Sequence, residues 1–495
     1  MGDLKTQTEL IEYTTHQKSL DLAEEILSRK PKILGLGVYI WNIRESYELV
    51  SLLKRIAPEL ILVLGGPEVS YETETQAIFQ KADYVVCGEA EFLFPDLCQK
   101  ILEGKKPSVK KITGPLPEIN KLQLPYSFYT DEDIKNRVIY VEASRGCPYK
   151  CEFCLSSLDT SVRSFDLEIF LSEMQILLDR GVKQFKFVDR TFNLSISKSR
   201  KILEFFLKRI DLGLFLHFEL VPDRLPEELK EIIRKFPKGS LQFEIGVQTW
   251  SSKVARLVSR RQDYEKVAQN FEFLVKETGV HIHSDLIAGL PGETLESFAV
   301  GFDALASLEP HEIQLGILKR LKGTPIIRHD EACEMVYQEN PPYQILKTKE
   351  MSFETVLKLS RMAKFWDLIA NSGHFKNSMK LIKELASQRE VSSLFWEFWE
   401  LSEFFNRRHP QRYGISLLSQ VESLELYLRA QRGVDKALVR QALILDYTQN
   451  PSRDIPSFLR EETQKQPKSN RNPPPKKISV PIPSRQARHG VNAEL

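Results

Sequence analysis

No apolar run in the chain approaches the length of a membrane span; the best candidates, residues 33–41 and 60–64, are short and read as buried strands. The opening residues, Met-Gly-Asp-Leu-Lys-Thr-Gln, hold no apolar core of a secretion signal. A cytosolic location is the resulting expectation. An excess of charge of one sign is also missing: 69 Lys and Arg against 67 Asp and Glu leave a formal net charge of +2. That balance gives no reason to expect nucleic acid or an anionic membrane as the main partner. Cysteine is scarce, at 6 in 495 residues. Cys87, Cys98 and Cys333 are scattered, whereas Cys147, Cys151 and Cys154 stand together. A disulfide framework would not look like this, and a reducing compartment suits it. No internal repeat of fixed short period is present.

What is present is an ordinary globular composition, 42% hydrophobic and 27% charged, in a chain long enough for two or three domains. Over residues 1–104 strands and helices alternate. Strands are expected at 8–13, 33–40, 60–64 and 84–87, with helices at 20–28, 46–56 and 92–102. The pattern argues a parallel, doubly wound (Rossmann-like) sheet, with ligands beyond the carboxyl ends of its strands, where Gly65-Gly66-Pro67 and Gly88-Glu89 fall. Residues 105–136 carry Pro107, Pro115, Pro117 and Pro125 without a sustained period and read as a linker. A second βα series fills 137–345, with strands at 138–143, 184–188, 215–220, 241–247, 281–288 and 313–318. Six such units suggest a partial, TIM-like (β/α)6 barrel. Residues 346–450 read as a helical domain, where Phe395, Phe398, Trp399 and Phe405 form a core stripe. Residues 451–495 are expected to be a disordered tail, since 465–490 hold 6 Pro, 7 Lys or Arg and no acid. The part after Gln464 is expected to be dispensable.

The segment Cys147-Pro-Tyr-Lys-Cys151-Glu-Phe-Cys154 directly follows a predicted strand. Thiolates hold iron–sulfur clusters, and four fill all four irons of a cubane. Three close thiolates leave one iron open, and an open metal position is where a substrate binds. The alternative, a structural zinc site, wants four ligands, and neither a second Cys pair nor a nearby His supplies the fourth.

Three barrel strands break the continuous apolar run of a sheet buried on both faces. His217, Glu219, Gln242, Glu244, Gln248, His281, His283 and Asp285 alternate with apolar residues and share one strand face. Helices cover the outside, so this polar face is expected to line the lumen. His217, Glu219, Glu244, His283 and Asp285 are the substrate-contact candidates. A set of satisfied structural hydrogen bonds is the rival account.

The cysteine spacing, with an aromatic before the third Cys, resembles the signature of the radical-SAM superfamily. That resemblance implies a 4Fe–4S cluster on Cys147, Cys151 and Cys154 and reductive cleavage of S-adenosylmethionine (SAM). It also implies an electron donor such as flavodoxin or ferredoxin. By position, Phe153, Asp189, Asn193, Gly246, Gln248, Gly289 and Glu293 are the implied SAM contacts. The doubly wound domain before the barrel resembles the cobalamin-dependent branch, through the segments at 35–42, 65–70 and 88–91. Gly65, Gly66, Gly88 and Glu89 are then the implied cobalamin contacts. Along residues 8–450 the chain is similar to an uncharacterised group of such proteins with a helical C-terminal domain. The Asp-x-His-x-x-Gly motif of many cobalamin domains does not occur. Cobalamin-dependent methylation of an unreactive carbon is the function implied. Cyclisation or rearrangement without methyl transfer, and a non-catalytic cobalamin or iron–sulfur sensor, are the rivals. Strand order 2-1-3-4-5 is expected for such a domain. Only four strands are found, with 8–13 matching the second, so the first, central strand is expected upstream of Met1. On that reading the chain as given binds cobalamin weakly.

Overall fold

The computed structural model describes residues 2–411, 413–449, 456–459 and 483–488. The N-terminal sheet has four parallel strands in the order β1 (Ile33–Gly37), β2 (Ile61–Gly65), β3 (Tyr84–Val86), β4 (Lys111–Ile112). Alternation along β2 builds two cores. Leu62 and Leu64 pack with helices Ser19–Ser28 and Ile43–Ile56 on one face, and Val63 packs with helix Leu93–Leu102 on the other. The doubly wound reading therefore holds.

Its strand list needs three corrections. Residues 8–13 form no strand: their Thr-Glu-Leu-Ile-Glu-Tyr alternation finds no neighbouring strand to pair with, and Leu10 is exposed. The fourth strand comes instead from the segment read as a linker, which also carries helix Asp131–Asn136 with a Thr130–Asp133 capping box. β1, β2 and β3 keep the 3-4-5 part of the expected order, but among the described residues no strand stands for the 2-1 half, so β1 lies at the sheet edge.

The second sheet begins at β5 (Ile139–Val141). A short antiparallel pair, β6 (Ser144–Arg145) and β7 (Arg163–Ser164), brackets the cysteine segment. Then follow β8 (Gln184–Phe187), β9 (Phe215–Leu220), β10 (Leu241–Gln248), β11 (His281–Ala288) and β12 (Glu312–Ile317). All six barrel strands are parallel, in sequential order from β5 to β12, as the six βα units predict. Helices Leu167–Asp179, Tyr264–Glu277 and Leu295–Ser307 start where Asp166, Asp263 and Thr294 accept a first-turn N–H. Their apolar faces meet the outward side chains of the strands. Between neighbouring strands Phe187 and Phe218 have ring centroids 4.4 Å apart, and Phe185 meets Phe206 of helix Ile196–Leu207 at 5.2 Å. Each buried phenylalanine contributes roughly 1.5–3 kcal/mol. A hairpin, β13 (Val336–Tyr337) with β14 (Ile345–Lys347), closes the series.

Five longer helices follow, from Phe353–Trp366 to Lys436–Tyr447. Phe395, Phe398 and Phe405 are buried against Phe302, Phe365 and Trp366, so the aromatic stripe is core. In the tail, helix Ser484–Arg488 is ordered against the amino ends of the barrel strands, contrary to expectation for those residues. Arg485 lies 2.8 Å from Glu312, Gln486 donates to Gln242 at 2.8 Å, and Arg488 donates to the Ser372 carbonyl at 2.7 Å. Composition excluded an apolar core there, but polar pairing with a buried carboxylate orders the segment without one. Apart from 456–459 and 483–488, residues 450–495 lie outside the described residues. Among the described residues no helix is long and apolar enough to cross a membrane.

Candidate functional site

Cys147, Cys151 and Cys154 all border one cavity of ≈ 250 Å³ at the carboxyl ends of the barrel strands. The turn that carries them is held at several points. Gly146 has φ +89°, and a Cβ there would meet the Ser161 carbonyl, so only glycine passes. Cys147 N–H donates to Asp159 O at 3.1 Å, and Cys154 N–H to Cys151 O at 3.0 Å. Arg260 reaches in from the loop after helix Ser252–Leu257, donating to the Cys151 Sγ at 3.5 Å and to the Gly246 carbonyl. Burial pushes the Cys151 thiol up, against the pull of Arg260. Among the described residues no group of three or more His, Cys, Asp or Glu converges tightly enough for a single metal ion. Three thiols spread around one cavity instead suit a cluster in which each sulfur serves a different iron.

The predicted polar face does point inward. Glu219, Glu244, Gly246, Gln248 and Asp285 line the same cavity as the cysteines. Glu244 is 3.1 Å from His217 and 3.5 Å from Lys186. The His217 contact, helped by Lys186, holds the Glu244 carboxyl down at about 2 despite burial. Arg190 pairs with Glu219 at 3.0 Å. His283 and Asp285 stand 3.5 Å apart, and His283 Nε2 and Asp285 Oδ1 are buried without a hydrogen-bond partner among the described residues. Burial opposes the charge on His283, but Asp285 outweighs it and raises its pKa. Burial also raises the Asp285 carboxyl. This layer can hold a polar, hydrogen-bonding molecule beside the cysteine turn.

Of the seven SAM candidates, Phe153, Gly246 and Gln248 reach the cavity wall. Gln248 has φ +71° at a register break in β10, a strained backbone that turns it toward the opening. The other four sit behind the wall as struts. Asp189 accepts from Ser144 Oγ at 2.6 Å and Ala143 N–H at 3.0 Å, and burial lifts its carboxyl to about 6. Asn193 exchanges hydrogen bonds with Val221 at 2.8 and 2.9 Å. Gly289, at φ +88°, makes room for Ile345. Glu293 accepts from Thr249 Oγ1 at 2.6 Å, and burial pushes it up to about 8. Arg260, Arg261, Gln262 and Tyr149 also line the cavity and were not singled out from sequence. The signal available was Arg260-Arg261-Gln262, a polar run between helices Ser252–Leu257 and Tyr264–Glu277.

The four glycine-and-acid positions of the N-terminal domain divide as well. Gly88 has φ +83° with open space where a Cβ would stand, and at Gly65 the nearest atom is 3.8 Å away. Both leave backbone bare at the strand ends, as a flat ligand approaching them requires. Gly66 serves packing, since its Cβ would meet the Val38 backbone at 2.5 Å. Glu89 is engaged by Arg145 at 2.8 Å and by Arg163, both beside the cysteine turn. Tyr343 OH donates to buried Glu68 at 2.7 Å, and Glu72 pairs with Arg320 at 3.3 Å. The acids in these contacts come from the first domain and their partners from the rest of the chain.

Residues 3–97 match the family described as B12 binding domain, 141–303 the Radical SAM superfamily, and 331–476 a protein family of unknown function, DUF4080. An uncharacterized methyltransferase of Pyrococcus horikoshii is 24% identical over 379 residues, 69% of this chain and 80% of its own. The cobalamin-dependent radical SAM methyltransferase TokK of Streptomyces tokunonensis is 24% identical over 58% of this chain; the match spans 47% of TokK's own length. In fold, the chain is similar to the cobalamin-dependent S-adenosylmethionine radical enzyme OxsB. The TM-score is 0.56 at 15% identity, over 92% of this chain and 75% of OxsB.

Proposed function

We propose that this chain, a radical SAM enzyme with an N-terminal B12 binding domain, methylates an unreactive carbon in a cobalamin-dependent reaction. The carrying observation is that the three cysteines open on the same cavity as Gly246, Gln248, Glu219, Glu244 and Asp285. When bound, a 4Fe–4S cluster supplies the electron that cleaves SAM, and cobalamin carries the methyl group. Cys147, Cys151 and Cys154 hold the cluster and leave one iron for SAM. Phe153, Gly246 and Gln248 border the SAM position, with Arg260 fixing the Gly246 carbonyl. Asp189, Asn193 and Glu293 keep the strand ends in place behind it. Glu219, Glu244 and Asp285, backed by Arg190, His217 and His283, orient the substrate's polar groups and keep bulk water out. Gly65 and Gly88 give cobalamin a bare backbone to lie against. The cytosol, as a reducing compartment, is where we place the reaction.

The test is anaerobic reconstitution followed by turnover with lysate fractions and labelled SAM. Wild-type protein should bind about four irons, form 5′-deoxyadenosine and yield a product heavier by one methyl. The Cys151→Ala protein should form no 5′-deoxyadenosine; normal rates from it would overturn the reading. A product of unchanged mass would move the assignment to rearrangement or cyclisation.

A further inference from the structure

Behind the cysteine turn, on the side away from the cavity, lies a second depression. It is an open cleft of ≈ 410 Å³ lined by Lys253, Arg256, Leu257, Arg328 and His329. Four of its five lining side chains are basic, in a chain whose charges otherwise nearly cancel. Lys253 and Arg256 are exposed on helix Ser252–Leu257, and among the described residues neither has a carboxylate partner. Resting on the radical-SAM reading above, we propose that this cleft is the docking surface for an acidic flavin protein, of the flavodoxin type, that delivers the electron.

The connection runs through Glu152. Cys151, Phe153 and Cys154 face the cavity, whereas Glu152, between them, is absent from its wall and turns the other way. Its side chain is 4% exposed; it accepts from Ser259 and Arg328 and stands 2.9 Å from His329 Nε2. Its backbone is pinned by both walls of the cleft: Glu152 N–H donates to Val258 O, and Ile326 N–H donates to Glu152 O, each at 3.1 Å. The cleft is therefore joined to the cysteine turn through the residue next to Cys151 and two positions before Cys154, on the face that SAM and substrate leave free. A protein docked there reaches the cluster without blocking the cavity. Glu152 offsets Arg328, which stays 59% exposed, and leaves Lys253 and Arg256 to attract an acidic surface. Exposed charges of this kind suit a brief, steered encounter. The step is a one-electron transfer: the donor's reduced flavin is oxidised, the cluster is reduced, and no atom changes hands. A nucleic acid would meet the same charges, but nothing about that role would require Glu152 to join the cleft to the cysteine turn.

The test uses a variant carrying Lys253→Glu and Arg256→Glu, both remote from the cavity, in the reconstituted full chain. Flavodoxin binding is read from its flavin fluorescence at low and high salt, with a short RNA as a parallel probe. Reversal should weaken flavodoxin binding by about tenfold or more at low salt, with the gap closing as salt screens it. The 5′-deoxyadenosine rate should fall when a reduced flavodoxin drives it and stay at the wild-type value when dithionite does. Unchanged flavodoxin affinity, equal loss under dithionite, or a loss of affinity confined to RNA would overturn the docking assignment. Absence of 5′-deoxyadenosine from wild-type protein with dithionite would instead overturn the functional reading, and the binding arm would still be readable.

Discussion

The two ends of the barrel lumen carry the same kinds of residue and treat them in opposite ways. At the amino ends of the strands His281 and Glu312 are each 3% exposed and 3.0 Å apart, and Arg485 adds a second partner to Glu312. Gln242 there is closed over by Gln486. Two and four positions further along β11, His283 and Asp285 come no closer than 3.5 Å, each has a buried atom without a hydrogen bond, and Asp285 faces open cavity. The residues alternate on the same strands, two positions apart. The difference teaches that height along the strand, not residue type, separates a structural pair from a ligand-facing one. The His281–Glu312 pair is closed internally at 3.0 Å, whereas His283 and Asp285 are left partly unmet beside a cavity that a ligand can fill.

That contrast can be broken at each level. The largest effect belongs to the cysteine turn, where Cys147→Ala should abolish 5′-deoxyadenosine formation while leaving the melting temperature close to wild type. Next comes Asp285→Asn, at the open end. Product formation should drop by roughly 10²-fold, with stability changed by no more than about 1 kcal/mol; a large melting shift instead would make Asp285 a structural residue. At the sealed end the order should reverse. Glu312→Ala strands His281 and Arg485 and should cost about 3 kcal/mol in denaturant unfolding, with 5′-deoxyadenosine formation per folded molecule retained.

Glu293 gives a pH signature. Burial raises its carboxyl from an ordinary 4.5 to about 8, so the folded chain holds that proton more tightly than the unfolded chain. Its stabilising contribution is complete below the ordinary value and is lost as pH rises toward 8. Glu293→Gln should flatten the decline of melting temperature across that window; an unchanged slope would show that the carboxyl does not titrate there. The smallest effect is expected from truncation after Gln464. Losing the Arg485 pair should cost about 1 kcal/mol and leave SAM cleavage intact.

The barrel was legible because each of its strands couples an apolar face to a polar one or to an unbroken apolar run, and because capping residues mark its helices. β4 was not: a two-residue strand among prolines has no period to detect. The stretch at 8–13 has the period without a partner, and pairing, which alternation alone cannot supply, decides the matter. The cysteines were legible through spacing. Asp189, Asn193 and Glu293 were legible as polar residues after strands. Sequence gives their position but not the direction of the side chain, and here they turn toward hydroxyl and backbone groups behind the wall. Arg260 was missed because a loop carries no register, so its reach back to Cys151 depends on a path only the fold defines.

Arg145, two residues before Cys147, is bonded to Glu89 at the end of β3. The cysteine turn and the first domain therefore share an ion pair. A ligand that shifts Glu89 when it settles on the ends of β2 and β3 alters the anchoring of the turn. Thermodynamic linkage then makes the influence mutual: occupancy of the turn must change the affinity of the first domain by the same factor. In this architecture Glu89, held by both Arg145 and Arg163, is the point through which such a coupling would pass.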